Sequence, residues 1–291
     1  MNDEQKTTLN WRQLFPMRGF AHSMALRRCN AGRFFMQPYR QNNPITAERY
    51  QSLREYPKRY VAIDDSAIKI WFFASNVMWQ FCGIMPKAML PPRNAQELFE
   101  SCVSLTGSLE HDWILLRPDE REVHRMIGAG VCFPSNWDIH EKMGKPVEEI
   151  HAIVPGLNAS LGAKISKFLS NLTPFKAWQR ENWGLSADAE LNHHPSRKLK
   201  RLDNCATLST TWLRLERQFF CKMHWSKYDC PPFILFAIRV YNFLLDELIQ
   251  EPGSAARIAH SLETMPDDVA AYKGIAPARA GLIAQLKAVT L

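Results

Sequence analysis

Hydrophobic positions follow a helical spacing in two parts of the chain. After Asn94, the residues Leu98, Cys102 and Leu105 recur at steps of four and three, and Glu97 stands three residues after the candidate N-cap. Further on, apolar residues alternate steps of four and three at Leu161, Ile165, Phe168, Leu172 and Phe175. This pattern predicts one helix that begins near Asn94 and a second that runs from near Asn158 to about Trp178.

Other apolar stretches predict β-structure. Residues 67–83, AIKIWFFASNVMWQFCG, are apolar nearly throughout and predict a buried strand pair or a strand and a turn. Four further stretches predict strands: 113–116, 123–133, 211–223 and 232–241. The turn RPDER separates the first two, and HWSKYDCP joins the last two into a hairpin. A run of short helical turns is expected from Pro134 to His151.

The order of these elements predicts an α+β fold with an antiparallel sheet. Two strands, several short helices, a longer helix and a strand hairpin follow one another, which is also the order of a PAS domain. In that fold, helices cover one face of a curved sheet and leave a ligand cavity beneath. We expect three parts: an N-terminal basic wrap with helical and strand extension over residues 1–110, a PAS-like core over 111–245, and a C-terminal helical extension over 246–291.

Charge is distributed unevenly along the 291 residues. Residues 1–60 lack a clear period and hold eleven Lys and Arg against four acids, an excess of seven that equals the net charge of +7 for the whole chain. Aromatic residues are interleaved with these bases. A solvated, Arg-rich layer over the main domain explains the pattern, and a nucleic-acid arm or a dock for an acidic protein would look the same. Nucleic acid is disfavoured, because no zinc-finger, RRM or helix-turn-helix pattern occurs.

The remaining composition argues for a cytoplasmic enzyme or binding protein. No apolar run of about 18 residues predicts a membrane span, so no membrane association is expected. The polar start MNDEQKTTLN resembles neither a secretory signal nor a transit peptide. Seven cysteines at irregular spacing indicate reduced thiols rather than a disulfide framework. The chain contains no GxSxG, Walker A, GxGxxG or HExxH motif.

Two arginines interrupt the apolar stripes of the predicted hairpin. Leu213, Leu215, Arg217 and Phe219 alternate along its first strand, and Arg239 lies in the corresponding stripe of the second. A turn near residue 227 would place Arg217 opposite Ala237 and diagonal to Arg239, about 7–8 Å away. The pair could hold an anion such as a carboxylate, a phosphate or a haem propionate. Alternatively, each arginine pairs with a protein carboxylate such as Glu216 or Glu181, because an unpaired buried charge is costly.

Metal and thiolate alternatives are weaker. Cys221, His224 and Cys230, with Cys205 as a fourth ligand, have a spacing that matches no common zinc site. Cys132 could serve as a haem thiolate, but it follows an apolar strand, where a small buried thiol is typical. His151, next to Ile150 and Ile153, would by itself be interpreted as a core residue.

Six short motifs in order resemble the haem-binding subunit of the haem-dependent oxidative N-demethylases, also described as dimethylamine monooxygenases. They are LLRPDE (115–120), GVCFPSNW (130–137), KMGKPVEEIHAIVPG (142–156), RENW (180–183), LRLERQ (213–218) and FAIRVY (236–241), and together they span about residues 111–245. The family is similar to PAS domains in fold, in agreement with the order of elements.

The resemblance implies a b-type haem in the cavity and oxidation of a small secondary amine with O2. Electrons would come from NADPH through a separate reductase that carries FMN and a 2Fe–2S cluster. His151 is implied as the proximal iron ligand, since imidazole is a standard axial ligand of haem. Arg217 and Arg239 become candidates for propionate binding or the distal pocket, with Trp137 and Leu215 as further haem contacts.

The chain also departs from the family pattern. The segment after ERQ, FFCKMHWSKYDCPP, is bulkier and richer in cysteine, and WGLSADAELNHHP lacks an aromatic-Pro ending. These differences bear on the identity of the substrate more than on haem. Two rival functions remain: a haem PAS sensor that binds a gas without turnover, and a PAS-like scaffold without haem whose residues 1–60 form an interaction arm.

Overall fold

A single seven-stranded antiparallel sheet organises the chain. The structure is a computed structural model, and it describes residues 11–35, 44–83 and 90–289. The strands follow the order β1-β5-β6-β7-β3-β4-β2 across the sheet. Their bounds are β1 Arg27–Arg28, β2 Val61–Ile63, β3 Asp112–Pro118, β4 His124–Gly130, β5 Ala177–Ser186, β6 Trp212–Trp225 and β7 Cys230–Leu244.

Helices flank the sheet at both ends of the chain and between β4 and β5. The α-helices are α1 Trp11–Leu14, α2 Ala31–Phe35, α3 Pro44–Glu55, α4 Pro57–Tyr60, α5 Ile68–Phe81, α6 Ala95–Ser108, α7 Val147–His151, α8 Ala163–Ser170, α9 Leu245–Leu248, α10 Ser254–Thr264, α11 Asp267–Tyr272 and α12 Arg279–Ala288. Short 3-10 helices lie at Asp65–Ala67, Ile139–Glu141, Pro195–Arg197 and Ser226–Tyr228, and a π-helical turn spans Asn158–Gly162.

The predicted α+β class is confirmed. Within residues 112–244, the order agrees with the prediction except for β5, a strand that lies between α8 and the hairpin. β3 and β4 are followed by helical turns that end at His151, and β6 and β7 form the predicted hairpin. The helix that begins at Asn94 is also confirmed, because the Asn94 side chain accepts a hydrogen bond from the Glu97 amide at 3.0 Å. The three-part division of the chain stays a prediction, although β2 already brings residues before 111 into the sheet.

The prediction of strands over residues 67–83 is wrong. This stretch forms the helix α5, which buries Ile70, Trp71, Ala74, Val77 and Met78. Successive residues of this set are one or three positions apart, so they form one helical stripe. The polar residues Lys69, Asn76 and Gln80 do not alternate with the apolar ones, which is the pattern that a half-buried strand would need.

The predicted helix over 158–178 is too long. α8 ends at Ser170, and Ala177 already begins β5. Pro174 explains the break, because proline removes a backbone donor and disfavours helical geometry in the residue before it. The apolar step from Leu172 to Phe175 is therefore accidental, and it concealed a ten-residue strand.

The N-terminal sixty residues are more ordered than an extended wrap. Residues 1–10 and 36–43 lie outside the described parts, but residues 44–55 form the regular helix α3. Its Arg49 is fully buried, and its guanidinium donates to Asp112 at 2.8 Å. One of the N-terminal bases is thus part of the interior rather than of a solvated layer.

Different parts of the chain cover the two faces of the central strands. Phe168 of α8 packs edge-on against Trp178 and Phe220, at ring distances of 6.0 and 5.7 Å. We name this the crossover face, because residues 131–176, which connect β4 to β5, cover it. The other face, with Phe219 in contact with Phe34 and Phe35 of α2, is named the terminal face. The C-terminal helices α10 to α12 pack on this second face, in the apolar cluster of Leu213 and Leu215.

In the described ranges, no helix is both long and apolar enough to cross a membrane.

Candidate functional site

The crossover face carries a row of polar side chains in the middle of the sheet. Arg180 pairs in register with Gln218, and Asn182 pairs with Glu216. These four residues share the face with Trp178 and Phe220, because paired residues of neighbouring strands point the same way and alternate residues keep to one face. All four are only half-buried although their strands are central. The row is therefore partly accessible on the side of the sheet that the crossover helices cover.

His151 ends helix α7 on the crossover side. Pro146 precedes this short helix, and the fixed φ angle of proline favours the start of the helical turn. His151 is the last residue of the helix. Burial, followed by the positive charges of Arg180 and Lys142, lowers the pKa of His151 to about 4. The imidazole is therefore neutral at physiological pH. Within the part of the chain that the structure describes, its ring forms no hydrogen bond.

Arg180 is the charged group of this face that its neighbours do not satisfy. Its Nε atom is buried and has no hydrogen-bond partner among the described residues. Burial lowers the pKa of Arg180, while Glu216 and Glu181 act in the opposite direction. A buried guanidinium donor without an acceptor is costly, so this position is suited to an anionic partner.

Glu216 is held as a carboxylate by donors on the same face. Ser135 donates to its Oε1, Gln218 to its Oε2 at 2.9 Å, and Asn182 to its Oε2 at 3.4 Å. Burial acts to raise the pKa of Glu216, but the hydrogen bond from Ser135, the charge of Arg214 and the two amides together lower it below its usual range. The site therefore contains a negative charge at the same sheet level as Arg180.

Arg214 fixes the start of residues 131–176, which we name the crossover segment, on the sheet. Its Nε donates to Ser135 Oγ at 2.8 Å, and its Nη2 donates to the carbonyl of Phe133 at 2.8 Å. Arg214 is only 5% exposed, and burial lowers its pKa to about 10. Because Ser135 also donates to Glu216, this arginine positions the Ser135 hydroxyl for that bond.

Aromatic side chains form the end of the site nearest the β6–β7 turn. Phe220 stacks on Phe236 with ring centroids 4.7 Å apart, and Phe168 closes over Phe220 from α8. Trp137, the residue expected to contact haem, lies in the crossover segment with Lys142 above its ring at 4.8 Å. The face is thus polar in the middle and aromatic at one end.

The structure places Arg217, Arg239 and Leu215 on the terminal face, away from His151. Arg217 lies directly opposite Arg239 in register, not opposite Ala237. The predicted pairing partner of Arg217 is therefore wrong by two residues. The two arginines are adjacent as expected. The expectation that they face the helical side with His151 is wrong, because Glu216 and Gln218, the neighbours of Arg217 in the chain, point to that side instead.

Both arginines of the terminal face pair with carboxylates. Arg217 Nε lies 3.2 Å from Glu181 Oε1, and Arg239 Nη2 lies 3.6 Å from Glu110 Oε2. Glu181 also binds Arg27 through both of its oxygens. For Arg217, the structure thus agrees with the alternative in which a protein carboxylate, Glu181, compensates the charge. The buried Nε and Nη2 of Arg239 form no hydrogen bond among the described residues.

The metal and thiolate alternatives find no support in the described residues. There, no group of three or more His, Cys, Asp or Glu side chains could hold a metal ion, so the zinc interpretation is not supported. All seven cysteines are free. Cys132 is fully buried, and burial raises its pKa to about 12, which agrees with an inert thiol rather than a thiolate ligand.

Sequence reasoning missed Arg180 as a site residue. The helix predicted to end near Trp178 overlaps the start of β5 and leaves the RENW segment without a predicted element, so the alternation of Trp178, Arg180 and Asn182 is not apparent from the sequence. Pro174, as a helix terminator, was the available signal.

One comparison with known proteins bears on this arrangement. Residues 48–283 match the sequence model of the family described as haem-dependent oxidative N-demethylase, alpha subunit-like. The match includes every strand from β2 to β7 and both sides of the site, with His151 on α7 and Arg180 on β5. Since it covers most of the chain, the protein belongs to this family, whose name denotes a haem-dependent oxidative enzyme.

Proposed function

We propose that this chain is the haem-binding subunit of a monooxygenase that oxidises a small amine with O2. The observation that carries the proposal is that His151, in the motif that resembles the haem-dependent family, is neutral, forms no hydrogen bond among the described residues, and lies near the buried, unpartnered Arg180 donor of the crossover face. Membership of the haem-dependent family supplies the cofactor class. Substrate class, electron source and the role of each residue are part of the proposal.

The residues of the crossover face fit a haem. An axial histidine must be neutral, and the low pKa of His151 keeps it so. A propionate needs a cationic donor, and Arg180 Nε is a buried donor with no acceptor among the described residues. A porphyrin needs apolar walls, which Phe168, Phe220 and Phe236 provide. Arg217 and Arg239 do not fit the propionate role, because they lie on the face opposite His151, where Arg217 pairs with Glu181.

In this assignment, His151 would bind the haem iron and Arg180 would bind a propionate. When bound, haem supplies the activation of O2 and the oxidation of an N-methyl carbon, chemistry that belongs to the cofactor. The protein residues position the reactants and exclude water. The aromatic end of the site removes water from the reacting carbon, and Trp137 closes the site from the crossover side.

Glu216 accounts for recognition of an amine. A secondary amine is protonated at neutral pH, and the hydrogen-bonded Glu216 is ionised, so the two attract each other in a site of low dielectric constant. Ser135, Gln218 and Asn182 hold the carboxylate in place, so it does not need to reorganise when the substrate arrives. We propose that Glu216 binds the ammonium group and orients its methyl carbon.

Electrons must come from outside this chain. Monooxygenation consumes two electrons per O2, and the sequence contains no GxGxxG dinucleotide motif. We therefore propose a separate reductase with NADPH, FMN and a 2Fe–2S cluster as the partner.

An absorption spectrum with a turnover assay tests the proposal. After haem supplementation, the protein should show a Soret band, consume O2 with an artificial electron donor, and form aldehyde from an N-methyl amine. His151→Ala should lose or shift the band, whereas the exposed His140→Ala, eleven residues earlier in the crossover segment, should keep it. No Soret band ends the haem assignment. Gas binding without turnover would instead identify a sensor.

A further inference from the structure

An exposed cluster of aromatic rings lies at the end of the sheet where β6 and β7 meet. Phe73 of α5 stacks on Trp225 at 5.0 Å, Phe175 meets the same indole edge-on at 5.1 Å, and Tyr228 lies 5.7 Å from Phe73. Phe175 is 52% exposed and Tyr228 is 61% exposed. We name these four residues the aromatic tip. Three separate segments of the chain contribute to it, so it is a feature of the folded protein.

Phe175 adopts a strained backbone conformation within this cluster. Its φ angle is +59°, a left-handed conformation that costs a bulky residue on the order of 1–3 kcal/mol. Its amide donates to the carbonyl of Lys222 at 2.8 Å, which fixes the conformation. Glycine would adopt this geometry without strain. Because the ring is 52% exposed, its packing within the fold offsets little of this cost.

Basic side chains surround the aromatic tip. Lys176 and Lys227 are exposed, and Lys69 is 47% exposed and pairs with Asp229 at 2.8 Å. His224 is exposed on the same hairpin. Aromatic residues at the centre of a surface patch, with charged residues at its rim, are the composition of protein–protein interfaces.

We propose that the aromatic tip and its lysine rim dock an acidic surface of a partner protein. A second copy of this chain is disfavoured, because a two-fold contact would bring like-charged rims together. Nucleic acid is disfavoured, because the Phe73 and Trp225 rings stack on each other and do not offer both faces to bases.

The docking surface adjoins the site on the crossover face. Lys222, whose carbonyl holds Phe175, comes two residues after Phe220 on the same strand face. A protein bound there would sit against the aromatic end of the site. The family description also names a subunit, which agrees with a chain that works beside another polypeptide. The identification of this partner with the electron donor rests on the proposed function, whereas the docking itself does not.

Binding of synthetic polymers tests the chemistry of this surface without a known partner. The probe is a fluorescent random copolymer of glutamate and tyrosine, compared with polyglutamate of equal charge, on the full chain without added haem. Wild type should prefer the copolymer. Phe175→Gly with Tyr228→Ser should remove that preference and weaken copolymer binding about tenfold, because exposed aromatic anchors dominate such contacts. Phe175→Gly suits the left-handed backbone, so this variant should remain folded in urea unfolding.

Two double variants with the same change in charge distinguish binding at the aromatic tip from general attraction of an acidic polymer to a basic protein. Lys176→Glu with Lys227→Glu should weaken copolymer binding about tenfold, and Lys198→Glu with Arg201→Glu, at the opposite end of the sheet, should change it by less than about twofold. Equal losses in the two pairs would refute the docking surface. Tip-dependent binding of phosphatidylserine vesicles or oligothymidylate, without copolymer preference, would also refute it. None of these measurements depends on haem, so their outcome is independent of whether a Soret band is observed.

Discussion

Consecutive residues of the central strands β5 and β6 lie on opposite faces of the sheet, and the two faces differ in how their charges are paired. Glu181 and Arg217 point to the terminal face, where they bind each other at 3.2 Å and Glu181 also binds Arg27. Arg180 and Glu216 point to the crossover face, where a buried Arg180 donor has no acceptor among the described residues. The terminal face is closed by helices from both chain ends. Arg217 is paired there, whereas Arg239 lies 3.6 Å from Glu110 and its buried Nε and Nη2 form no hydrogen bond among the described residues.

This difference shows how a binding site can be separated from a structural ion pair. Both faces carry arginine and glutamate in otherwise apolar surroundings, so residue type alone does not distinguish them. On the terminal face, Glu181 explains the position of Arg217, and Arg239 has only the more distant Glu110, at 3.6 Å. On the crossover face, a neutral histidine and an unsatisfied guanidinium donor need a further group to explain them, and we propose that this group is haem.

Replacing neighbouring phenylalanines should show the largest contrast between the faces. Phe219 is fully buried among Phe34, Phe35 and Phe81, so Phe219→Ala should lower the free energy of unfolding by about 3–5 kcal/mol. Phe220 is half-buried, so Phe220→Ala should cost less than about 1.5 kcal/mol in the haem-free protein. Urea unfolding measures both. A reversed order would mean that the crossover face, and not the terminal face, is the tightly packed one.

Replacing the two glutamates should separate stability from activity. Glu181→Gln leaves Arg27 and Arg217 without their carboxylate and should lower the free energy of unfolding by about 1–3 kcal/mol. Glu216→Gln keeps the shape of the amide network and should leave stability within about 1 kcal/mol. In amine-dependent O2 consumption, however, Glu216→Gln should raise KM, because the charge that attracts the ammonium is lost. An unchanged KM would remove Glu216 from substrate binding.

Replacing the arginines should decide which face holds the propionates. Arg180→Gln should increase the rate of haem loss to an acceptor globin about tenfold, because a charge-assisted hydrogen bond is removed. Arg217→Gln removes the same charge from the other face and should change that rate by less than about twofold. Faster haem loss from Arg217→Gln than from Arg180→Gln would restore the arginine pair as the anion site.

The smallest effect is expected in the pH dependence of the haem-free protein. The pKa of His151 is about 4 in the folded state and near 6.5 when unfolded, so the unfolded chain binds more protons between these values. Stability should therefore fall as the pH decreases from about 6.5 toward 4. In His151→Gln, the decrease between pH 7 and pH 5 should be smaller, as measured by urea midpoints. Identical pH profiles would show that the ring is solvated.

The sequence predicted much of the fold from local patterns. The N-cap at Asn94, the turn between β3 and β4, and the β6–β7 hairpin follow from short-range chemistry that acts within a few residues. The same patterns failed for residues 67–83, where a nearly unbroken apolar run fits a buried helix as well as a strand. They also failed at β5, because an accidental apolar step continued past Pro174.

The candidate site was predictable only in part. His151 was singled out through the motif that contains it, and its position at the end of a crossover helix follows from Pro146 and the turn before it. Arg180 was not, since a polar residue in a strand carries no local sign of the face it occupies. The arginine pair on β6 and β7 was identified as adjacent, but its partners Glu181 and Glu110 come from other strands and connections.

By itself, the sequence determined the α+β class, the β3–β4 and β6–β7 hairpins and the family, because propensity, turn chemistry and motif spacing act locally along the chain. The tertiary structure decided which residues share a face. A shift of one residue moves every side chain of a strand to the other face, and strand pairing depends on contacts between residues far apart in the chain. Only the folded sheet therefore separates Arg217 and Arg239, with their carboxylates, from Arg180 and Glu216 beneath His151.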